Sequence, residues 1–152
     1  MLPKYHIIIG FIFSVLIYNL FDVSHFEILI FFLSSFLIDI DHYIIYAIIK
    51  KNYSLKNSMK YFLDCRKKWI KLSLEERRKY KKHIFIFHGI EFWIPLFIMS
   101  FYFKIIIFVL YGFFVHIILD YIDCLYFKEP LYQKFSQIYV YETNKKKIDF
   151  NC

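Results

Sequence analysis

The sequence predicts an all-α protein of the membrane: a small polytopic bundle of about four transmembrane helices with one basic, helical cytoplasmic loop. Three observations predict it. Of 152 residues, 59% are hydrophobic and 24% aromatic, which is too apolar for an ordinary soluble domain and long enough for one domain only. The apolar residues gather in four blocks, 7–21, 28–49, 84–103 and 105–127. Finally, 13 of the 20 Lys and Arg fall between Lys50 and Lys82, against only Asp64, Glu75 and Glu76. One basic loop between apolar blocks is the signature of a cytoplasmic connection, and it argues against reading the net charge of +7 as a nucleic-acid face.

The first block follows Met1-Leu2-Pro3-Lys4-Tyr5-His6 and ends at Tyr18-Asn19-Leu20-Phe21-Asp22 without the small residues of a signal-peptidase site, so it is expected to be retained. At about 1.5 Å per residue it is short for a bilayer about 30 Å thick and must borrow its flanks. The second block carries Ile38-Asp39-Ile40-Asp41-His42 within it. On one helix Asp39 and His42 share a face, whereas Asp41 lies about 200° round from Asp39. A break is therefore expected near this point, with Tyr43 to Ile49 beyond it. In the basic loop, residues 50–82, Ser73 and Glu76 have the spacing of a capping box. Glu75 and Glu76 also invite comparison with the EExxxR motif of intramembrane proteases, but position 80 is Tyr. Lys104 alone separates the third and fourth blocks, which predicts a tight turn between antiparallel helices. The three cysteines, Cys65, Cys124 and Cys152, have no paired spacing and are expected to be reduced thiols. The predicted organisation is a helical membrane domain over residues 1–127 and a polar cytoplasmic tail over 128–152.

Four spans would put both termini and the basic loop on one side. Those three regions hold 19 of the 20 positive residues, so that side is expected to be the cytoplasm, with the protein multi-pass in the cell membrane. The ionisable residues then sort by depth. His6 opens the first span, Asp39, Asp41 and His42 lie toward the end of the second, His83 and His88 begin the third, and His116 and Asp120 lie toward the end of the fourth. His25 alone falls at the opposite face. Charged groups inside apolar spans are costly and usually mark function.

Imidazoles and carboxylates at a common depth are the donor set of a divalent ion such as zinc. The candidate ligands are His6, Asp39, Asp41, His42, His83, His88, His116 and Asp120. Asp41 and Asp120 are also the candidates for a catalytic carboxylate that takes a proton from metal-bound water. His116 and Asp120 are four apart and share a helix face, but His83 and His88 lie about 140° apart, so one of them is expected to precede its helix. Eight groups exceed the needs of one tetrahedral ion; either two ions bind or some groups only orient the others. Glu91 and Asp123 share faces with candidate ligands. Structural ion pairing, for example of Asp120 with His88, is the rival reading throughout.

An N-terminal His opening an apolar segment, then Asp39-Ile40-Asp41-His42, then His83-Ile84-Phe85-Ile86-Phe87-His88, then Gly112 through His116 to Asp120 is a pattern that resembles the YdjM-like family of membrane-bound, metal-dependent hydrolases. That family usually reads PDIDH, HRxxTH and GxxxHxxxD; the His spacing is kept here, while the Pro, Arg and Thr are replaced. The resemblance spans roughly residues 6–130 and implies a metal-dependent hydrolase without defining its substrate. Taken with the predicted topology, the expected reaction is cleavage of a phosphoester or other ester of a lipid-like substrate by a zinc-type ion at the cytoplasmic membrane face. The expected partners are membrane lipid and that substrate, with no nucleic acid. The alternatives are a non-catalytic membrane protein that binds or transports a metal through the same residues, and a structural membrane protein with paired charges.

Overall fold

The computed structural model describes residues 3–150 as helices and connecting turns, with no strand among them. Helix α1 (Pro3–Leu20) leads to α2 (His25–Leu37), whose start is closed by a capping box between Ser24 and Glu27. A turn at Ile38 and Asp39 then separates α2 from α3 (Ile40–Lys50), so the second apolar block does break at its charged stretch. The break alters the hydrogen bonding around it. Asp39 N–H donates to the Phe36 carbonyl rather than to that of Ser35, which is left available to another partner.

The basic loop forms α4 (Leu55–Lys71) and α5 (Leu74–Lys79), and α5 begins at the Ser73–Glu76 capping box. The third apolar block departs from expectation. Residues 81–85 are non-helical, Ile86–His88 makes one 3-10 turn, and only Ile90–Ser100 forms a helix, α6. Eleven residues reach about 16 Å, half a bilayer. Three helical stretches, Pro3–Leu20, His25–Lys50 and Ile105–Tyr126 (α7), are long and apolar enough to cross a membrane, rather than four.

Hydropathy cannot reveal why residues 81–85 are extended, because the cause lies near the other end of the chain. The segment after α7 folds back as α8 (Tyr132–Phe135) and α9 (Gln137–Asn144). Gln137 and Asn144 lie seven apart on one face of α9. The Gln137 side chain accepts from Phe85 N–H at 2.8 Å, while Asn144 accepts from Lys82 N–H at 2.9 Å and donates to the Lys82 carbonyl at 2.8 Å. These bonds replace the helical ladder that 82–85 would otherwise need. Residues 128–150 are thus part of the helical body rather than a separate polar tail. Their contact with the loop is cemented by Glu129, which accepts from Trp69 Nε1 at 2.6 Å, from Arg77 Nη1 at 3.2 Å and from Lys82 Nζ.

The principal helix contact, α2 on α7, depends on a missing side chain. A Cβ at Gly112 would sit 2.5 Å from the Phe31 carbonyl oxygen and 3.0 Å from Ser35 N. α1 packs on α2 in the same way, with Gly10 against Ser35. Outward faces stay apolar: Phe11, Ile12, Leu16, Leu29, Phe114 and Ile118 are all exposed. The cysteines correct one expectation: Cys124 is a buried free thiol, but Cys65 on α4 is disulfide-bonded. Spacing alone did not show that the C-terminal segment lies along the loop, where Phe150 packs on Trp69 and Tyr80. Cys152 lies outside the described residues.

Candidate metal centre

Four elements meet where the sequence placed its ionisable residues. α1 contributes His6, the break between α2 and α3 contributes Asp39 and Asp41, the 3-10 turn contributes His88, and α7 contributes His116 and Asp120. Apart from Asp39 at the edge, all of these residues are buried.

Two of the imidazoles are held from behind. His88 Nδ1 lies 2.9 Å from Asp41 Oδ2, and His116 Nδ1 lies 2.9 Å from the Ser35 carbonyl that the helix break leaves available. A carbonyl oxygen can only accept, so His116 Nδ1 carries the proton; the same holds for His88 against a carboxylate. In the neutral form of each ring the Nε2 atom is then the acceptor, and both Nε2 atoms face the centre, buried and with no hydrogen-bond partner. An imidazole oriented through Nδ1–H with a bare Nε2 is the arrangement of a metal-ligating histidine.

The donor atoms are spaced accordingly. Asp39 Oδ1 lies 3.5 Å from His88 Nε2 and 3.4 Å from His116 Nε2, while Asp120 Oδ2 lies 3.4 Å and 3.6 Å from the same two nitrogens. These four distances are long for hydrogen bonds. A tetrahedral ion with bonds of about 2.0–2.1 Å holds its ligands about 3.3–3.4 Å apart. Four of the six edges of a zinc-type polyhedron are thus matched. The donor atoms gather in overlapping threes within 4.8 Å of one another, His88 with His116 and Asp120, His6 with Asp39 and His116, and Asp39 with Asp41 and His88, a donor set that suits such an ion. His6 is the nearest addition. Its Nε2 is 3.4 Å from Asp120 Oδ1, its ring is stacked on that of His116 at 3.8 Å, and neither nitrogen has a hydrogen-bond partner.

The remaining candidates divide. His42 stands at the open edge, 28% exposed, with Nδ1 3.5 Å from Asp41 Oδ1, Nε2 3.6 Å from Asp39 Oδ1, and its ring stacked over His88. Asp41 uses one oxygen to hold His88 and turns the other toward His42. His83 is not brought in. It lies on the extended segment among Phe62 and Phe85. Glu91 is also elsewhere, accepting from Ser136 Oγ and from the N–H groups of Gln137 and Ile138 at the start of α9. Asp123 is engaged by Arg66 through two bonds of 2.8 and 2.9 Å.

One residue of the centre was missed. Lys134, on α8, reaches in with its side chain 11% exposed and places Nζ 2.7 Å from Asp120 Oδ2. Burial would depress its pKa, but Asp120 and Asp39 outweigh burial and hold it above the ordinary lysine value. Nothing in the mixed stretch Leu131-Tyr132-Gln133-Lys134-Phe135 marked it in the sequence.

No family model matches the chain, and no curated protein or solved structure is similar to it.

Proposed function

We propose that this chain is a membrane-embedded, metal-dependent hydrolase of the YdjM-like kind, with a zinc-type ion held by Asp39, His88, His116 and Asp120, and with His6 beside them. The observation that carries this reading is the pair of bare Nε2 atoms, each locked by a bond at Nδ1 and each 3.4–3.6 Å from two carboxylates. An ion bound there would supply Lewis acidity and a water acidified toward pKa 7. The chain's own residues do the rest. Asp41 and the Ser35 carbonyl fix the tautomers, the buried walls exclude bulk water, and His42 at the edge passes a proton between Asp41 and solvent. The substrate class is an ester or phosphoester, brought to the open edge on a lipid-like molecule.

The exposed apolar faces of α1, α2 and α7 are what a bilayer would cover. In that setting the extended stretch and α6 together make the fourth crossing, and non-helical backbone is tolerated there because α9 satisfies it. The charge of the loop favours the cytoplasm for the face nearest the centre. The disulfide at Cys65 favours an oxidising compartment. Alkylation of intact cells with a membrane-impermeant maleimide, before and after reduction, decides between them.

Elemental analysis of the purified chain tests the metal. Wild type should carry zinc or a similar ion in stoichiometric amount, whereas Asp39→Ala and His116→Ala should carry little. Equal content in all three removes the reading. Release of phosphate or fatty acid from a lipid panel then separates a hydrolase from a metal carrier.

A further inference from the structure

We propose that Lys134 binds an anionic phosphoryl oxygen of the substrate, so that the centre takes phosphate esters in preference to neutral carboxylic esters. The proposal rests on the metal reading above and narrows it.

The other cations near the centre are already committed. Arg77 and Lys82 meet Glu129, and Arg66 is bidentate on Asp123. Among the described residues, Lys134 is the cation that faces the donor cluster. Its position suits an anion shared with the ion. With Nζ 2.7 Å from Asp120 Oδ2, the ammonium falls within about 5 Å of any ion that Asp120 ligates through that oxygen at about 2 Å. That is the span over which one phosphoryl oxygen reaches a metal while a second reaches an ammonium.

Charge points the same way. Asp39, Asp41 and Asp120 outweigh one divalent ion by a unit of negative charge, and an anion would be repelled. Lys134 balances the count. An ammonium has three N–H donors, of which Asp120 occupies one.

Access is shared as well. The Phe85 ring touches His42 at the open edge, 4.0 Å between ring centres, and has Lys134 Nζ over it at 5.0 Å. An anion entering past His42 along Phe85 therefore meets the ammonium beside the donor atoms.

The test uses the full chain in detergent micelles with zinc added, titrated calorimetrically with inorganic phosphate, for wild type, Lys134→Met and Lys134→Arg. Zinc content and melting temperature are measured on each. The expected result is equal zinc in all three, phosphate binding weakened at least about tenfold in Lys134→Met, and binding within a few-fold of wild type in Lys134→Arg, as loss of a charge-assisted hydrogen bond implies. Equal phosphate affinity in wild type and Lys134→Met overturns the proposal. So does loss of zinc in Lys134→Met, which would make Lys134 a support of the metal site. If wild type holds no zinc the metal reading fails, and the titration without metal decides: phosphate binding that depends on Lys134 keeps the proposal, and its absence overturns it. Competition by phosphatidic acid in mixed micelles against soluble glycerol phosphate shows whether the phosphoryl group arrives on a lipid. Displacement by either supports the proposal; displacement by neither overturns it.

Discussion

Asp41 Oδ2, in the first turn of α3, accepts the Nδ1 proton of His88 on the 3-10 turn at 2.9 Å. The bond joins residues 47 apart in sequence and sets which nitrogen of His88 faces the centre. Asp41→Ala should therefore weaken zinc binding about 10–100-fold without removing any ligand. Competition with a chromophoric chelator measures this, and an unchanged dissociation constant would show that Asp41 does not orient His88.

The two histidines of the third apolar block should separate cleanly. His88→Ala should abolish stoichiometric zinc, whereas His83→Ala should leave zinc content at the wild-type level, since His83 lies among aromatic rings away from the donor atoms. Metal loss in both variants would mean that the extended segment shifts in solution.

Gly112 links packing to chemistry. It sits one turn before His116 on α7, where a Cβ would collide with the backbone of α2 at Phe31 and Ser35. Gly112→Ala should cost about 1–3 kcal/mol through overpacking and, by displacing the Ser35 carbonyl from His116, should also reduce zinc affinity. Thermal unfolding in detergent and zinc titration check the two effects together; a fall in stability with zinc affinity intact would uncouple them.

Glu129 gives the protein an acid-sensitive joint. Burial alone would raise its carboxyl, but the Lys82 ammonium, the Trp69 indole and the Arg77 guanidinium hold it below its ordinary value of 4.5. A depressed folded value contributes stability that is present above about pH 4.5 and is lost as pH falls through the folded pKa. Glu129→Gln should lower stability by roughly 3 kcal/mol at neutral pH, because Lys82 and Arg77 lose their buried partner. The gap from wild type should narrow as pH falls below 4.5. Denaturation at pH 7 and pH 3.5 measures it, and a gap that is constant with pH would contradict the assignment.

What the sequence could reveal follows from how local each cause is. The break at Ile38–Asp39 was legible because Asp39, Asp41 and His42 are expensive within an apolar helix. The start of α5 was legible because Ser73 and Glu76 cap each other at short range. The depth of His116 and Asp120 was legible from helical spacing on α7. The extended run at 81–85 was not, since Ile84, Phe85 and Ile86 satisfy any hydropathy rule for a helix and only Gln137 and Asn144 overrule it. The same distant contact decided that His88 rather than His83 enters the centre. Lys134 was hidden for a related reason: a lysine in the mixed stretch Leu131-Tyr132-Gln133-Lys134-Phe135 carries no sign of burial until α8 folds over Asp120.

The order in which the chain is made now matters. His88 is carried to its place by a stretch whose backbone partners, Gln137 and Asn144, are synthesised more than fifty residues later. Until the ribosome has passed Asn144, the first two helices and α7 can hold at most part of the donor set, so capture of the proposed ion would follow translation rather than accompany it. Nascent chains arrested at Pro130 should take up far less radioactive zinc than released ones, and equal uptake would show that the closing segment is dispensable.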